Sequence, residues 1–332
     1  MILHLKKEIS EQEAHQMAVA SKSIIFRQDD FFVLVTPSKD KEVPSLLQSA
    51  VAESWVSDSD IQLAAKKYHT GVREIDFGVT KIGGNTYNSV MITGPCSVES
   101  EEQIEQAAQL CVKLGVKILR AGAYKPRTSP YSFQGLGLAG LQLLAKMREK
   151  YGLKIITEVK DSTHIEEVIE YSDIIQIGAK AMYDQGILRR CGAQQKPVLL
   201  KRGFGTTLQE FVQAAEFILS GGNPNVILCE RGIRTFETKT RFTLDLCGVA
   251  WLKQHTNLPI ILDPSHAMGY AYGVADLSRA CIAMGIDGLL IESHPNPKIA
   301  LSDADQQLNF EEFTNLYTSL IPVAKAVCRN LV

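Results

Sequence analysis

The sequence predicts an α/β fold, a (β/α)8 TIM barrel with a small N-terminal α+β ferredoxin-like domain. Three observations lead there. Eight short apolar runs recur after residue 88, at 90–93, 117–119, 154–157, 174–177, 198–200, 226–228, 260–262 and 288–291. Helical patterns lie between them, at 101–114, 138–150, 164–171, 208–219, 242–253 and 276–284. Residues 1–70 do not share this rhythm. Buried strands alternating with amphipathic helices make parallel βαβ units, and eight near-regular units suit a closed barrel better than the alternative, an open doubly wound sheet.

The N-terminal stretch reads differently. Residues 1–5 form a short strand, and Ser10-Glu-Gln-Glu13 is a capping box that starts a helix running to Ala20. Strands at 23–27 and 31–36 flank the polar turn Gln28-Asp-Asp30. A helix at 44–52 and a strand at 61–65 complete a β-α-β-β-α-β order. Residues 71–88 are a linker punctuated by Gly83 and Gly84, and 89–332 form the barrel.

Composition narrows the class. With 332 residues, 45% of them hydrophobic, the chain can bury a large core. The net charge of −2 argues against nucleic acid as the main partner, so any phosphate affinity must come from a local cluster. Seven scattered cysteines without a CxxC spacing read as reduced thiols. No apolar run approaches the ~18 residues of a membrane helix, and the start lacks a signal-peptide core. A soluble, cytoplasmic protein is expected.

In a barrel the chemistry sits where strands end. The runs here end in Gly94-Pro-Cys96-Ser-Val-Glu99, Arg120, Glu158, Gly178-Ala-Lys180, Lys201-Arg202, Glu230-Arg231, Asp263-Pro-Ser-His266 and Glu292-Ser-His294, with Asp303 shortly after. The second run opens into a loop stiffened by Pro126 and Pro130 that carries Lys125, Arg127, Thr128 and Ser129. Two sets separate by chemistry. Cys96, His266, Glu292 and Asp303 combine a thiol, an imidazole and two carboxylates, which suits Mn²⁺, Zn²⁺, Fe²⁺ or Co²⁺ better than Ca²⁺ or Mg²⁺. Arg120, Lys125, Arg127, Lys180, Lys201 and Arg231 would repel one another at a common mouth unless anions occupy it; two phosphates and a carboxylate would balance them. Pairing with Glu158, Glu230 and Asp263 is the bland alternative.

These residues lie in motifs that resemble a known family. GPCSVES at 94–100, RAGAYKPRTSPYSFQGLG at 120–137, IIQIGA at 174–179, PVLLKRGF at 197–204, ILCERGIRTFE at 227–237 and LPIILDPSHA at 258–267 occur in order. Together they resemble 3-deoxy-D-arabino-heptulosonate 7-phosphate synthases of type I, β subgroup, over roughly residues 75–325. The resemblance implies a transferase of the shikimate pathway of aromatic amino acid biosynthesis, which condenses phosphoenolpyruvate with erythrose 4-phosphate and releases phosphate. It places a divalent metal, Mn²⁺ with Zn²⁺, Fe²⁺ or Co²⁺ as alternatives, on Cys96, His266, Glu292 and Asp303. It places phosphoenolpyruvate on Arg120, Lys125, Lys201 and Arg231, and the aldose phosphate on Arg127, Thr128 and Ser129. Lys125 would donate a proton to the new alkoxide, and Glu158 or Asp263 would orient water or substrate. A homotetramer is implied, and the N-terminal domain suggests control by an aromatic amino acid.

One departure stands out. The family's usual Gly-Ala-Arg is Gly178-Ala-Lys180 here, which keeps the charge and loses the bidentate fork, unless Arg189 or Arg190 compensates. Two other functions compete. One is a sister reaction with arabinose 5-phosphate, against which the Lys125-Pro-Arg-Thr-Ser-Pro130 loop weighs. The other is a non-catalytic phosphometabolite-binding regulator, against which the intact metal set weighs.

Overall fold

The structure, a computed structural model, describes residues 1–127 and 129–332. Near the N-terminus, strands β1 (Ile2–Leu5), β2 (Ile24–Gln28), β3 (Phe31–Val35) and β4 (Val51–Trp55) form an antiparallel sheet in the order β2-β3-β1-β4. Helix α1 (Glu11–Ala20) is opened by the Ser10/Glu13 capping box. Because side chains alternate along a strand, the sheet has two apolar faces. Met1, Leu3, Leu5 and Leu34 cluster with Ala14 and Ala18 of α1, whereas Ile2, Val33 and Val35 join the large core around the barrel.

Two expected elements differ. Residues 44–52 yield only the 3₁₀ turn Ser45–Leu47, because pairing with β1 (Ile2 opposite Trp55, His4 opposite Glu53) draws 51–55 into a strand. Residues 61–65 form no strand beyond one bridge of Ala65 to Thr256. Their backbone is satisfied by side chains instead. The Glu216 carboxylate accepts the N–H groups of Gln62, Leu63 and Ala64 at 2.7, 3.1 and 2.8 Å. The amide of Asn257 donates to the carbonyls of Leu63 and Ala65, and Arg73 also donates to Leu63. A segment whose polar groups are met this way needs no neighbouring strand.

The linker is more than a spacer. Its hairpin, β5 (Ile75–Asp76) with β6 (Lys81–Ile82), inserts Ile75, Phe77 and Ile82 among the inward residues of the barrel, such as Ile92, Ile118, Ile174 and Ile261. It closes the barrel floor.

The wall follows as β7 (Asn88–Gly94), α2 (Glu101–Leu114), β8 (Ile118–Arg120), α3 (Leu138–Tyr151), β9 (Lys154–Val159), α4 (Ile165–Tyr171), β10 (Ile174–Ile177), α5 (Gln185–Gly192), β11 (Val198–Lys201), α6 (Leu208–Leu219), β12 (Val226–Glu230), α7 (Leu246–His255), β13 (Ile260–Leu262), α8 (Pro264–Met268), α9 (Ala271–Ala283), β14 (Gly288–Glu292) and α10 (Phe310–Ala326). Each strand pairs in parallel with the next, and β14 returns to β7 from Gly288 opposite Val90 to Glu292 opposite Gly94. That pairing closes the barrel and excludes the open sheet. A last strand, β15 (Asn330–Leu331), lies alongside the start of β7.

Helices α5, α8 and α10 have no counterpart in the sequence expectation, and α9 begins at Ala271 rather than at 276. Helix α7 starts at Leu246 rather than at 242, because the Asp245 side chain caps it by accepting the Gly248 N–H. That shift leaves Arg241 and Phe242 in a loop at the open end. No helix among the described residues is long and apolar enough to cross a membrane.

Candidate active site

Strand β7 ends at Gly94, where φ is 144° and an added Cβ would lie 2.1 Å from the Arg120 carbonyl oxygen. Only glycine permits this close approach of β7 to β8. Two residues on, Cys96 is fully buried, with its Sγ 3.2 Å from Asp303 Oδ2. Ligand atoms of Cys96, Glu292 and Asp303 all lie within 4.8 Å of one another, and His266 Nε2 lies 3.5 Å from Glu292 Oε1. The four expected metal ligands, from well-separated stretches of chain, therefore come together.

Their surroundings set their charge states. Asp263 caps α8 by accepting the His266 N–H, while its Oδ2 lies 2.7 Å from His266 Nδ1 and 2.6 Å from Lys201 Nζ. Burial opposes the Asp263 charge, but His266 and Lys201 overcome it and hold the carboxyl well below the usual range. Burial lowers the His266 pKa, with Asp263 and Glu292 pulling the other way, and its Nε2 faces Glu292. Burial, and then the Glu292 carboxylate, push the Cys96 thiol up to about 12, although Lys125 Nζ stands 3.0 Å from the sulfur. Burial works against the Lys125 ammonium, yet the acidic groups Cys96, Glu158 and Glu292 outweigh it and raise its pKa. A thiol, an imidazole and two carboxylates brought this close are a donor set that fits a divalent cation, which would favour the thiolate form of Cys96.

Beside this cluster lies a cavity of about 250 Å³. Among the described residues, Lys125, Arg127, Lys180, Lys201, Arg231 and Arg241 line it against two carboxylates, Glu158 and Asp303. Arg231 is buried with its guanidinium 4.3 Å above the Phe242 ring, its Nη1 meets no partner among the described residues, and burial lowers its pKa. Lys180 donates to the Pro126 carbonyl at 2.9 Å, which ties the β10 end to the Lys125 loop. Glu158 accepts a bond from Gln176 at 2.8 Å. An added Cβ at Gly178 would lie 2.1 Å from Glu158 Oε1, so that glycine leaves room for the carboxylate.

Several expected residues stand apart from the cavity lining. Arg120 stands behind the wall of the cavity, where its Nη1 donates to Glu292 at 2.5 Å and to the Pro95 carbonyl; its Nε has no partner among the described residues. Ser129 Oγ accepts the Tyr131 N–H within its own loop, and Ser132 lines the cavity instead. Thr128 lies outside the described residues. Arg190 pairs with Glu166 and Arg189 reaches Gln185, both away from the cavity, so Arg241 is the additional cation there. Arg202 turns to Glu230 and Asp245, a buried pairing that removes Glu230 from the mouth. The sequence did not reveal Arg241, Phe242, Gln176, Gln306 or Gln307. For Arg241 and Phe242 a signal existed in Asp245, a helix-cap residue that marks where α7 begins.

A closed barrel with a cationic cavity and a candidate metal cluster at its C-terminal mouth defines an enzyme for phosphorylated, anionic substrates. Comparison with known proteins makes this specific. Residues 61–328 match the DAHP synthetase I family, and the chain belongs to that family. The phospho-2-dehydro-3-deoxyheptonate aldolase of Thermotoga maritima is 47% identical over 266 residues, covering 80% of this chain and 78% of that one. A crystal structure of the Thermotoga maritima aldolase matches with a TM-score of 0.79 at 38% identity, covering 100% of this chain and 98% of that one. A truncated form of 3-deoxy-D-arabino-heptulosonate 7-phosphate synthase from Thermotoga maritima matches at 0.77 and 43%, covering 82% and 100%. The 2-dehydro-3-deoxyphosphooctonate aldolase of Bordetella petrii is 30% identical over 264 residues, 72% of this chain and 92% of that one.

Proposed function

We propose that the cavity carries out the phospho-2-dehydro-3-deoxyheptonate aldolase reaction, condensing phosphoenolpyruvate with erythrose 4-phosphate and releasing inorganic phosphate. The observation that carries this reading is the charge balance of the wall, six cations against two carboxylates, with an unpartnered N–H on buried Arg231. A buried cation such as Arg231, with no counter-ion among the described residues, is unfavourable until an anion arrives.

Lys125, Lys201 and Arg231 hold the carboxylate and phosphate of phosphoenolpyruvate, with the free Nε–H of Arg120 reaching from behind. Arg127, Ser132 and Lys180 face the aldose phosphate. Fixing both substrates brings C3 of the enolpyruvate against the aldehyde carbon, so a new carbon–carbon bond forms while the aldehyde oxygen becomes an alkoxide. Lys125, charged and adjacent to Cys96, gives that alkoxide its proton. Glu158 orients the water that adds at the electron-poor C2; one proton of that water restores Lys125, and the C2–O bond to phosphate then breaks, so the ketone forms as phosphate leaves with the other proton. Cys96, His266, Glu292 and Asp303 would hold Mn²⁺, or in its place Zn²⁺, Fe²⁺ or Co²⁺, whose Lewis acidity polarises the aldehyde when bound. Asp263 fixes the His266 imidazole and the Lys201 ammonium in place.

Phosphate release tests this reading, measured after EDTA treatment and again with Mn²⁺ restored, with arabinose 5-phosphate as the parallel acceptor. Metal-dependent turnover with erythrose 4-phosphate is expected. Turnover confined to arabinose 5-phosphate would overturn it in favour of the octulosonate reaction. No turnover from folded, metal-loaded protein would leave a binding protein. The N-terminal residues 1–70 contribute nothing to the cavity wall, and we assign them a regulatory role for an aromatic amino acid in a cytoplasmic homotetramer. Full activity of the whole chain in saturating phenylalanine and tyrosine would sink that assignment, and light scattering reads the assembly.

A further inference from the structure

Adjacent glutamines, Gln306 and Gln307, reach the candidate metal cluster from the loop between β14 and α10, and both are 1% exposed. Gln306 ends the 3₁₀ turn Ala304–Gln306, and Gln307 is extended, so the two side chains take different directions. Gln306 Nε2 donates to Glu292 Oε2 at 2.5 Å, while its Oε1 accepts from Arg241 Nη1 at 2.7 Å. Gln307 Oε1 accepts the backbone N–H of Cys96 at 2.9 Å, while its Nε2 donates to the Ser302 carbonyl at 2.9 Å. Donor and acceptor chemistry fixes both amide orientations. A carboxylate and a carbonyl only accept, a guanidinium and a backbone N–H only donate, and each glutamine meets one of each kind. Glutamate, with no N–H, could make half of these bonds.

We propose that Gln306 and Gln307 are positioning residues of the metal centre: Gln306 sets the Glu292 carboxylate, and Gln307 locks the Cys96 backbone to the loop that presents Asp303. This inference rests on reading Cys96, His266, Glu292 and Asp303 as the metal ligands. Three features agree with it. The oxygen of Glu292 that faces His266 and Arg120 is Oε1, so the bond from Gln306 to Oε2 stops the carboxylate from swinging. Asp303 has φ 46°, a left-handed conformation that a non-glycine residue keeps only where its surroundings enforce it. Those surroundings include Gln307 on Ser302, the residue before it, and Arg241, which bonds Gln306 and lies 3.5 Å from Asp303 Oδ1. Removing groups that orient ligands typically costs about 10–100-fold in metal affinity.

The test uses the full chain stripped with EDTA and titrated with Co²⁺ and Mn²⁺ against a competing chelator. The variants are Gln306→Met and Gln307→Met, of similar volume, and Gln306→Glu, which keeps the shape and loses the donor. Gln306→Met and Gln306→Glu are expected to weaken binding about 10–100-fold. At saturating Co²⁺ they should retain the near-ultraviolet thiolate-to-cobalt absorption. Gln307→Met should weaken binding and also shift that absorption, because it frees the backbone behind the sulfur. A purely structural role would move the melting temperature of the stripped protein and leave affinity and spectrum alone; that result overturns the proposal. Gln306→Met carries the test alone if the change at Gln307 prevents folding. A wild-type chain that bound neither ion would instead bring down the metal reading itself, a result distinguishable from variants that bind as the wild type does.

Discussion

The two ends of the barrel are built from the same eight strands and solve opposite problems. At the floor, Ile75, Phe77 and Ile82 of the linker hairpin meet inward residues such as Ile92 and Ile118 in an apolar cluster. At the mouth, one to three residues further along the same strands, Arg120, Lys201, Asp263 and Glu292 are all at most 3% exposed. Apolar contact at the floor stabilises the fold directly. Buried ion pairs at the mouth contribute little net stability, since desolvation of each partner offsets the attraction. The barrel is thus held together at one end and left electrostatically stressed at the other, as expected where a site must receive anions.

Lys125→Met should give the largest effect, a fall in kcat of about 10²–10⁴-fold, the usual range for a lost proton donor. A change in KM alone would show that Lys125 only holds anions. At the floor, Ile82→Ala should destabilise by about 2–5 kcal/mol in urea unfolding and leave kcat of the folded protein unchanged. Loss of activity in proportion would mean that the two ends are not independent. Arg231→Met sharpens the contrast. It replaces a buried cation that lacks a carboxylate partner among the described residues with an apolar side chain, so melting temperature should stay level or rise while KM for phosphoenolpyruvate rises about 10–100-fold, roughly 1.4–2.7 kcal/mol. A sharp drop in melting temperature would show that Arg231 is structurally paired after all.

The barrel was legible in the sequence because its signal is local: eight apolar runs, nearly every one ending in charged or metal-binding residues. Cys96, His266 and Glu292 could be singled out because each follows such a run, and Asp303 because it lies in the loop after the eighth; their donor atoms make chemical sense together. What stayed hidden depends on distant partners. Residues 61–65 look like a strand, and nothing local says that Glu216, Asn257 and Arg73 will satisfy their backbone. Gln306 and Gln307 are neutral amides whose purpose exists only once β7, β14 and the following loop converge. The linker hairpin is two residues per strand, too short for any periodicity, yet it seals the floor. Arg241 was obscured differently, by a helix start placed too early.

The clasp at 62–64 provides the smallest and most diagnostic effect, because it is neither a floor nor a mouth. One carboxylate on α6 accepts three backbone N–H groups, which favour its charge, but burial prevails and pushes Glu216 up to about 7. The unperturbed value is 4.5, so the folded chain keeps a proton there that the unfolded chain has released. The stabilisation linked to that proton is complete below about pH 4.5 and is lost as pH rises through about 7. Glu216→Gln retains an oxygen for Gln62 and Ala64 but turns an N–H toward Leu63, so at pH 5 it should be less stable by about 1–3 kcal/mol. Between pH 5 and 8 the wild type alone pays the cost of charging this site, and the gap in melting temperature should narrow steadily. A gap that is constant over that range would mean Glu216 is charged throughout, with the three N–H groups outweighing burial. A gap that stayed level above pH 5 but changed between about pH 3 and 5, with the wild type losing stability as pH falls, would mean the same bonds depress its pKa, which would make the clasp resemble the charged mouth rather than the neutral floor.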